Sequence, residues 1–317
     1  MNDKSAQAAT ARDEIEATSE GLRPLIFSIA YRMLGSGGEA EDVVQEAFLR
    51  FHRTRAEGTA VESPKAFLTT VTTRLAIDAL RSARMRRETY VGVWLPEPIA
   101  ASATAPDPAE RAEMRESLSL AFLVLLETLS PVERAVFLLR EVFDYDYAQI
   151  AEIVQKSEDN CRQLFARARK RIDEGKPRFE ADARLQQELA VRFFGAAVQG
   201  DLAGLVSFLA DNAAFYGDGG GKARAYPRPL YGRDRVALAL RSLFKTARQF
   251  GVTYRFAYVN GQPGALLFDA EGRVGSALAL DVAGGAIQAV RSIVNPDKLT
   301  HLGFPVSDVA RIKQEDP

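Results

Sequence analysis

Cysteine occurs once in these 317 residues, at Cys161, and histidine twice, at His52 and His301. A lone thiol excludes an internal disulfide framework, and no CxxC pair offers a zinc site. No apolar run approaches the roughly 18 residues needed to span a bilayer, and the polar N-terminus does not read as a signal peptide, so the expectation is a soluble cytoplasmic protein. Excess charge is also missing. Lys plus Arg number 41 against 42 Asp plus Glu, a net −1, so any nucleic-acid contact must come from local basic patches. What is present is ordinary for a globular chain: 47% hydrophobic and 26% charged residues, with length for two or three domains.

The most organised stretch runs from Leu129 to Ile172. Ser130-Pro131-Val132-Glu133 is a helix start: a hydroxyl cap, proline at the first helical position, and Glu three residues after the cap. A second helix carries Tyr147, Ile150, Ala151 and Val154 on one face. Gln155-Lys156-Ser157 breaks it. Ser157 then caps a third helix, whose Glu158 and Asp159 suit its positive end. That helix gathers Cys161, Leu164, Phe165, Ala168 and Ile172 on one side. Its other side is polar at Asn160 and Gln163 and basic at Arg162, Arg167, Arg169, Lys170 and Arg171. This is the pattern of a helix-turn-helix. Donors at the start of the last helix suit base edges in the major groove, and arginines suit phosphates.

Upstream, apolar residues recur from Leu22 to Leu34 and Gly35 ends that helix. Residues before about Glu14 read as frayed. In the next helix Ala40, Val43, Val44, Ala47, Phe48 and Phe51 form one face, and Glu39, Glu41, Asp42, Gln45, Glu46 and Arg50 the other. A third helix starts at Ser63-Pro64 with hydroxyls at Thr69, Thr70, Thr72 and Thr73. Its second half sets Arg74, Arg81, Arg84, Arg86 and Arg87 against Asp78 alone.

DVVQEAFLRFHR, then SPKAFLTTVTTRLAIDALRS, then the helix-turn-helix together resemble bacterial sigma factors of the extracytoplasmic-function (ECF) class, over about residues 15–90 and 112–175. The resemblance implies an all-α sigma domain two (14–90), a linker (91–111) and an all-α sigma domain four (112–178), with core RNA polymerase and promoter DNA as partners. It implies that Asp42, Gln45 and Glu46, with Phe48 and Arg50, meet the polymerase clamp. Arg74, Asp78, Arg81 and Ser82 would face the minus-ten strand, where arginines hold phosphates of melted DNA. Ser157, Asn160, Arg162 and Gln163 would lie at the groove of the minus-thirty-five element, with Arg167 and Arg169 as phosphate anchors. Asp78 has an alternative role, tying down an arginine.

The linker holds Trp94-Leu95-Pro96-Glu97-Pro98, with the only tryptophan, and further prolines at Pro106 and Pro108. Beyond residue 180 the chain continues for a domain's length. Helices at Leu185–Val198, Leu202–Leu209 and Arg233–Arg248 precede four strand-like segments, Val252–Val259, Ala265–Asp269, Val274–Asp281 and Ala286–Val294. Turns at Gly261, Gly272 and Gly284-Gly285 make these read as an antiparallel meander, in an α+β domain (183–304) that resembles a SnoaL-like cone. The loop Asp218-Gly219-Gly220-Gly221-Lys222 fails as a phosphate loop, because Tyr216 stands where its first glycine belongs and Ala223 where Ser or Thr is needed. An acid–base site in the cone, with Asp281 as base, is the sharper alternative; neither histidine falls in the sheet.

Trp94–Pro98, Asp218–Lys222 and Asn295-Pro296-Asp297-Lys298-Leu299 resemble the three signatures of the ECF group with a fused SnoaL-like extension, the SigJ-type group. This implies a multidomain sigma factor regulated in cis, without catalytic residues, metal or cofactor, monomeric when free, with flexible tails at 1–13 and 305–317. Asp218, Lys222, Asp297 and Lys298 are expected as polar contacts to the linker and Trp94 as its apolar anchor. A ligand in the cone is left open. The alternatives are a simple helix-turn-helix repressor or activator, and a DNA-binding part fused to a small-molecule sensor or enzyme.

Overall fold

The computed structural model describes residues 21–102, 117–175 and 183–302. The expected tails, Pro106 and Pro108 lie outside these, as do the side chains of Arg84, Arg86 and Arg87. In chain order the helices are α1 (residues 21–34), α2 (Gly37–Ala56), α3 (Pro64–Glu88), α4 (Leu120–Leu126), α5 (Pro131–Glu141), α6 (Tyr147–Val154), α7 (Glu158–Gly175), α8 (Ala183–Gln199), α9 (Leu202–Phe208) and α10 (Arg233–Gln249). The strands are β1 (Ala100–Ser102), β2 (Leu209–Asp218), β3 (Leu230–Tyr231), β4 (Thr253–Val259), β5 (Gln262–Phe268), β6 (Val274–Ala283) and β7 (Ala286–Ile293). The chain falls into two compact units, divided after Met85, Glu127 and Glu174.

The helical unit holds α1–α3 together with α5–α7. Local chemistry starts each helix. Ser36 accepts the Glu39 N–H at 3.1 Å to open α2, and Ser63 accepts the Ala66 N–H at 3.2 Å ahead of α3. Ser130 and Glu133 form a reciprocal capping box behind Pro131. Asp146 and Gln149 form a second box at α6, which composition alone did not suggest. Gln155 ends α6 in the left-handed region at φ 54°, making the turn into α7. Ile150, Ile153 and Val154 are buried on α6 and Cys161, Leu164, Ala168 and Ile172 on α7, and the Tyr147 and Phe165 rings of the two helices meet edge-on at 6.1 Å.

The same unit packs the α1–α3 group against the helix-turn-helix through polar groups. Arg134 is fully buried and donates to the Met33 carbonyl at the end of α1 at 2.6 Å. Reciprocally, Arg74 of α3 donates to the Glu152 and Ile153 carbonyls at the end of α6, both at 2.9 Å. Each guanidinium satisfies carbonyls that a helix C-terminus leaves without intrahelical partners. Thr69 and Tyr145 join the groups with a buried hydroxyl–hydroxyl bond of 2.9 Å. Burial alone lowers the Arg134 guanidinium to about 9 and is the main cause bringing Arg32 to about 10.

The second unit is a seven-stranded sheet in the order β1-β4-β5-β6-β7-β2-β3, with α8–α10 on one face. β4 to β7 form the expected antiparallel meander, but β2 runs parallel to β7. That parallel pair requires a long crossover, and α10 lies within it. Phe193, Phe194, Leu205, Val236, Leu240 and Phe244 of the helices pack on Phe215, Leu278, Leu280 and Val290 of the sheet. Alternate residues point the other way. There Ala277, Ala279 and Ile293 form a second apolar cluster with Leu95, Leu120 and Leu299. The linker is therefore more than an extended spacer. Ala100–Ser102 adds a strand to β4, with Ala100 opposite Val259, and α4 docks on the same sheet face.

Candidate regulatory junction and nucleic-acid interface

Asp218 closes β2 and is wholly buried. Its carboxylate accepts the Leu95 N–H at 2.8 Å, the Lys298 ammonium at 2.7 Å and the Tyr90 hydroxyl. Lys298 also donates to the Leu95 carbonyl, with its Nζ 4.5 Å from the Trp94 ring centre and 4.8 Å from that of Tyr90. The ammonium thus has a carboxylate, a carbonyl and two aromatic faces, the setting in which a buried cation is tolerated. Burial first, then the Asp218 carboxylate, push the Tyr90 phenol well above its ordinary range and keep it a donor.

Asn295 completes the junction. Its Nδ2 donates to the Tyr90 hydroxyl at 2.9 Å, and its Oδ1 accepts the Asp297 N–H at 3.2 Å to start the short Pro296–Lys298 turn. The Val294 and Asn295 amides both donate to the Asp218 carbonyl, at 2.8 and 3.0 Å. Leu299 is buried beside Leu95. The glycines allow this close approach. Gly220 and Gly221 have φ of 56° and 73°, and a Cβ on Gly220 would lie 2.3 Å from Asn295 Nδ2. A Cβ on Gly219 would lie 2.3 Å from the Ala223 carbonyl oxygen.

Two expected contacts differ in kind from the reading above. Leu95, only 1% exposed, is the apolar anchor with buried Pro96 and Pro98, while half-buried Trp94 offers its ring to a cation. The Lys222–Asp297 pair, at 2.5 Å, is solvent-exposed and so of small energetic weight beside the buried Asp218–Lys298 pair. Glu97 is half-buried. Motif reading missed three residues of the extension that bind the linker or the start of the second sigma region, with four bonds in all. The β4–β5 turn residues Asn260 and Gln262 bind backbone at Ile99, Leu118 and Leu120. A His301 ring nitrogen lies 2.6 Å from the Pro98 carbonyl. Asp281 faces away from the helices, held by Arg291 at 2.8 and 3.0 Å and by Gln262. A base in the helix-covered concavity does not fit that position.

On α2, Asp42 and Gln45 are exposed, Glu46 pairs with Arg50 at 2.7 Å, and Phe48 is half-buried. Leu49, 57% exposed, shares the Asp42–Gln45 face at helical spacing and was overlooked because leucine reads as core. On α3, Arg81 pairs with Asp78 at 2.9 Å, Ser82 is exposed, and Arg74 is engaged by α6 rather than free for a phosphate. On α7, Ser157 caps through the Asn160 N–H at 3.3 Å, and Asn160 and Gln163 are exposed. Arg162 bonds Glu158 and Asp159 at 2.8 and 3.0 Å. Arg167 lies 3.7 Å from Glu133 and Arg169 3.8 Å from Asp173. Among the described residues, no group of three His, Cys, Asp or Glu could hold a metal, and no helix is long and apolar enough to cross a membrane.

The chain matches the sigma-70 region 2 family over residues 20–86 and the sigma-70 region 4 family over residues 119–172. It is 37% identical over 298 residues to the ECF RNA polymerase sigma factor SigJ of Mycobacterium tuberculosis, covering 91% of this chain and 94% of that one. It is 32% identical over 291 residues to the probable ECF RNA polymerase sigma factor SigI of the same species, covering 92% and 96%. The crystal structure of SigJ superposes with a TM-score of 0.72 at 35% identity, covering 90% of this chain and 98% of that one. With two sigma regions in order, a SnoaL-like extension behind them and a relative matched nearly end to end, this chain belongs to the ECF RNA polymerase sigma factors.

Proposed function

We propose that this promoter-directing sigma factor is restrained in cis by its extension, which grips the segment joining its two sigma regions. The observation that carries this is the buried meeting of the linker, the glycine loop and the NPDKL turn around Asp218 and Lys298. A buried ion pair with few exits for its charges is stable while assembled and costly to leave half-made, which suits a latch with two states. The packing of α1–α3 on the helix-turn-helix supports the same reading. Promoter elements centred about 35 and 10 base pairs upstream lie roughly 85 Å apart at about 3.4 Å per step. Side chains in hydrogen-bond contact do not span that distance, so the packed form is a resting state.

In this reading α2 meets core polymerase through Asp42, Gln45 and Glu46. Arg74 and Arg81 hold minus-ten phosphates once released, and Asn160, Arg162 and Gln163 read the minus-thirty-five groove. The protein acts in the cytoplasm as a monomer when free, and its extension regulates rather than catalyses. The test is transcription by core polymerase with the full-length chain, comparing wild type, Asp218→Ala and the Asp218→Ala/Lys298→Met pair. Output should change several-fold in the single variant and move back toward wild type in the pair, where no lone charge is buried. Equal output from all three, with linker cleavage by protease increased in the single variant, would show a latch without regulatory effect.

A further inference from the structure

The β4–β5 hairpin is engaged at both ends. At its tip, Asn260 Oδ1 accepts the Ile99 N–H at 2.9 Å, Asn260 Nδ2 donates to the Leu118 carbonyl at 3.0 Å, and Gln262 Oε1 accepts the Leu120 N–H at 2.9 Å. At its open end, the cross-strand partners Tyr254 and Leu267 wall a cleft of about 250 Å³ completed by Val198, Phe244, Ala247 and Arg248. The register of β5 on β6 shifts between Leu267 and Phe268, so the ladder is interrupted beside the cleft.

We propose that this cleft binds a small amphipathic monocarboxylate and that its occupancy alters the grip of the hairpin tip on the linker at Ile99 and on the chain entering α4 at Leu118 and Leu120. The walls are apolar, which suits a hydrocarbon chain or ring. The volume, about 250 Å³, lies just below the range of about 300–1,000 Å³ for drug-sized ligand sites, so the ligand must be small. Arg248 is the only charged lining residue, and it stands at the exposed rim of the cleft. A guanidinium beside an apolar wall selects a carboxylate head on a short apolar tail. Coupling follows from the shared strands. Tyr254 and Leu267 form one rung, and Val259 opposite Gln262 forms the last rung before the tip. A ligand that prefers one setting of the open end biases the setting of the tip, and linker release changes ligand affinity by the same factor. The regulatory half rests on the extension restraining the linker, as proposed above.

The experiment titrates octanoate and octan-1-ol into the full-length protein by calorimetry, with emission of Trp94, the only tryptophan, as second readout. Octanoate should bind saturably at one site, with affinity at least tenfold weaker in Arg248→Gln and octan-1-ol weaker than octanoate to a similar degree. Ala247→Phe, which fills the cleft, should abolish binding. All variants should keep the wild-type melting temperature, and Arg248→Gln serves alone if the filled variant does not fold. No saturable binding up to millimolar concentration, or binding indifferent to Arg248→Gln, overturns the site. Octanoate should also change Trp94 emission, less so in Asn260→Ala. Binding that leaves Trp94 silent overturns the coupling, and the latch transcription assay stands apart from either result.

Discussion

Asp218 and Lys222 sit four residues apart in one motif, yet burial separates their roles. Lys298→Ala would leave the Asp218 carboxylate enclosed without its counter-charge, a loss of about 3–5 kcal/mol for breaking a buried pair. Lys222→Ala removes only an exposed partner of Asp297 and is expected to cost under about 1 kcal/mol. Thermal melts of the two variants, compared with wild type, check this ordering. Glu133 offers a second residue-level test. Burial pushes its carboxyl up, but the Ser130 hydrogen bonds and the Arg171 and Arg167 charges outweigh it and hold it below its ordinary 4.5. A depressed folded value means that the stabilisation is fully present above the ordinary value and is lost as pH falls through the depressed one. The melting-temperature gap between wild type and Glu133→Gln should therefore stay open near neutrality and close only in strong acid. A gap independent of pH would remove the charge from the account.

At the scale of elements, α2 and α7 each present one face that the fold leaves uncovered. The α2 face combines Asp42 and Gln45 with the exposed Leu49, so the surface proposed to meet polymerase carries an apolar group beside its polar ones. Leu49→Asp should weaken core-polymerase binding at least tenfold in a pull-down or anisotropy titration while leaving the melting temperature near wild type. An unchanged affinity would place the contact elsewhere. The Asp146–Gln149 box was not read from the sequence, whereas the Ser130–Glu133 capping box, the apolar stripes and the break at Gln155 follow from local chemistry and were legible in it. Leu49 was not, because periodicity tells which side chains share a face and not which faces remain uncovered.

In the molecule as a whole, Arg134 of α5 binds the end of α1 and Arg74 of α3 binds the end of α6, and these two contacts are the ones that the proposed resting state depends on. Arg134 has no foreseeable DNA role, so Arg134→Met separates packing from recognition. Losing a buried charged hydrogen bond costs about 1.5–3 kcal/mol. Every 1.4 kcal/mol is tenfold. Promoter DNA should accordingly bind the full-length variant about tenfold or more tightly in a band-shift titration. Binding equal to wild type would mean that packing of these helices does not limit access to DNA. Arg74 cannot serve this purpose, since its proposed promoter role and its hold on α6 would change together.

The sequence by itself determined the family, the order of the two sigma regions, the helix starts at Ser63, Ser130 and Ser157 and the three motifs, because caps, glycine turns and apolar periodicity are local and each motif is contiguous. Only the tertiary structure decided that Leu95 rather than Trp94 is the apolar anchor, that Arg74 is engaged by α6, and that β2 runs parallel to β7. The same holds for Asp281, placed opposite the helices, for Asn260, which holds the linker at Ile99, and for Gln262, which holds the start of α4. Each of these depends on partners up to about two hundred positions away, and no local pattern encodes which distant backbone group a side chain will reach once alternation has assigned its sheet face.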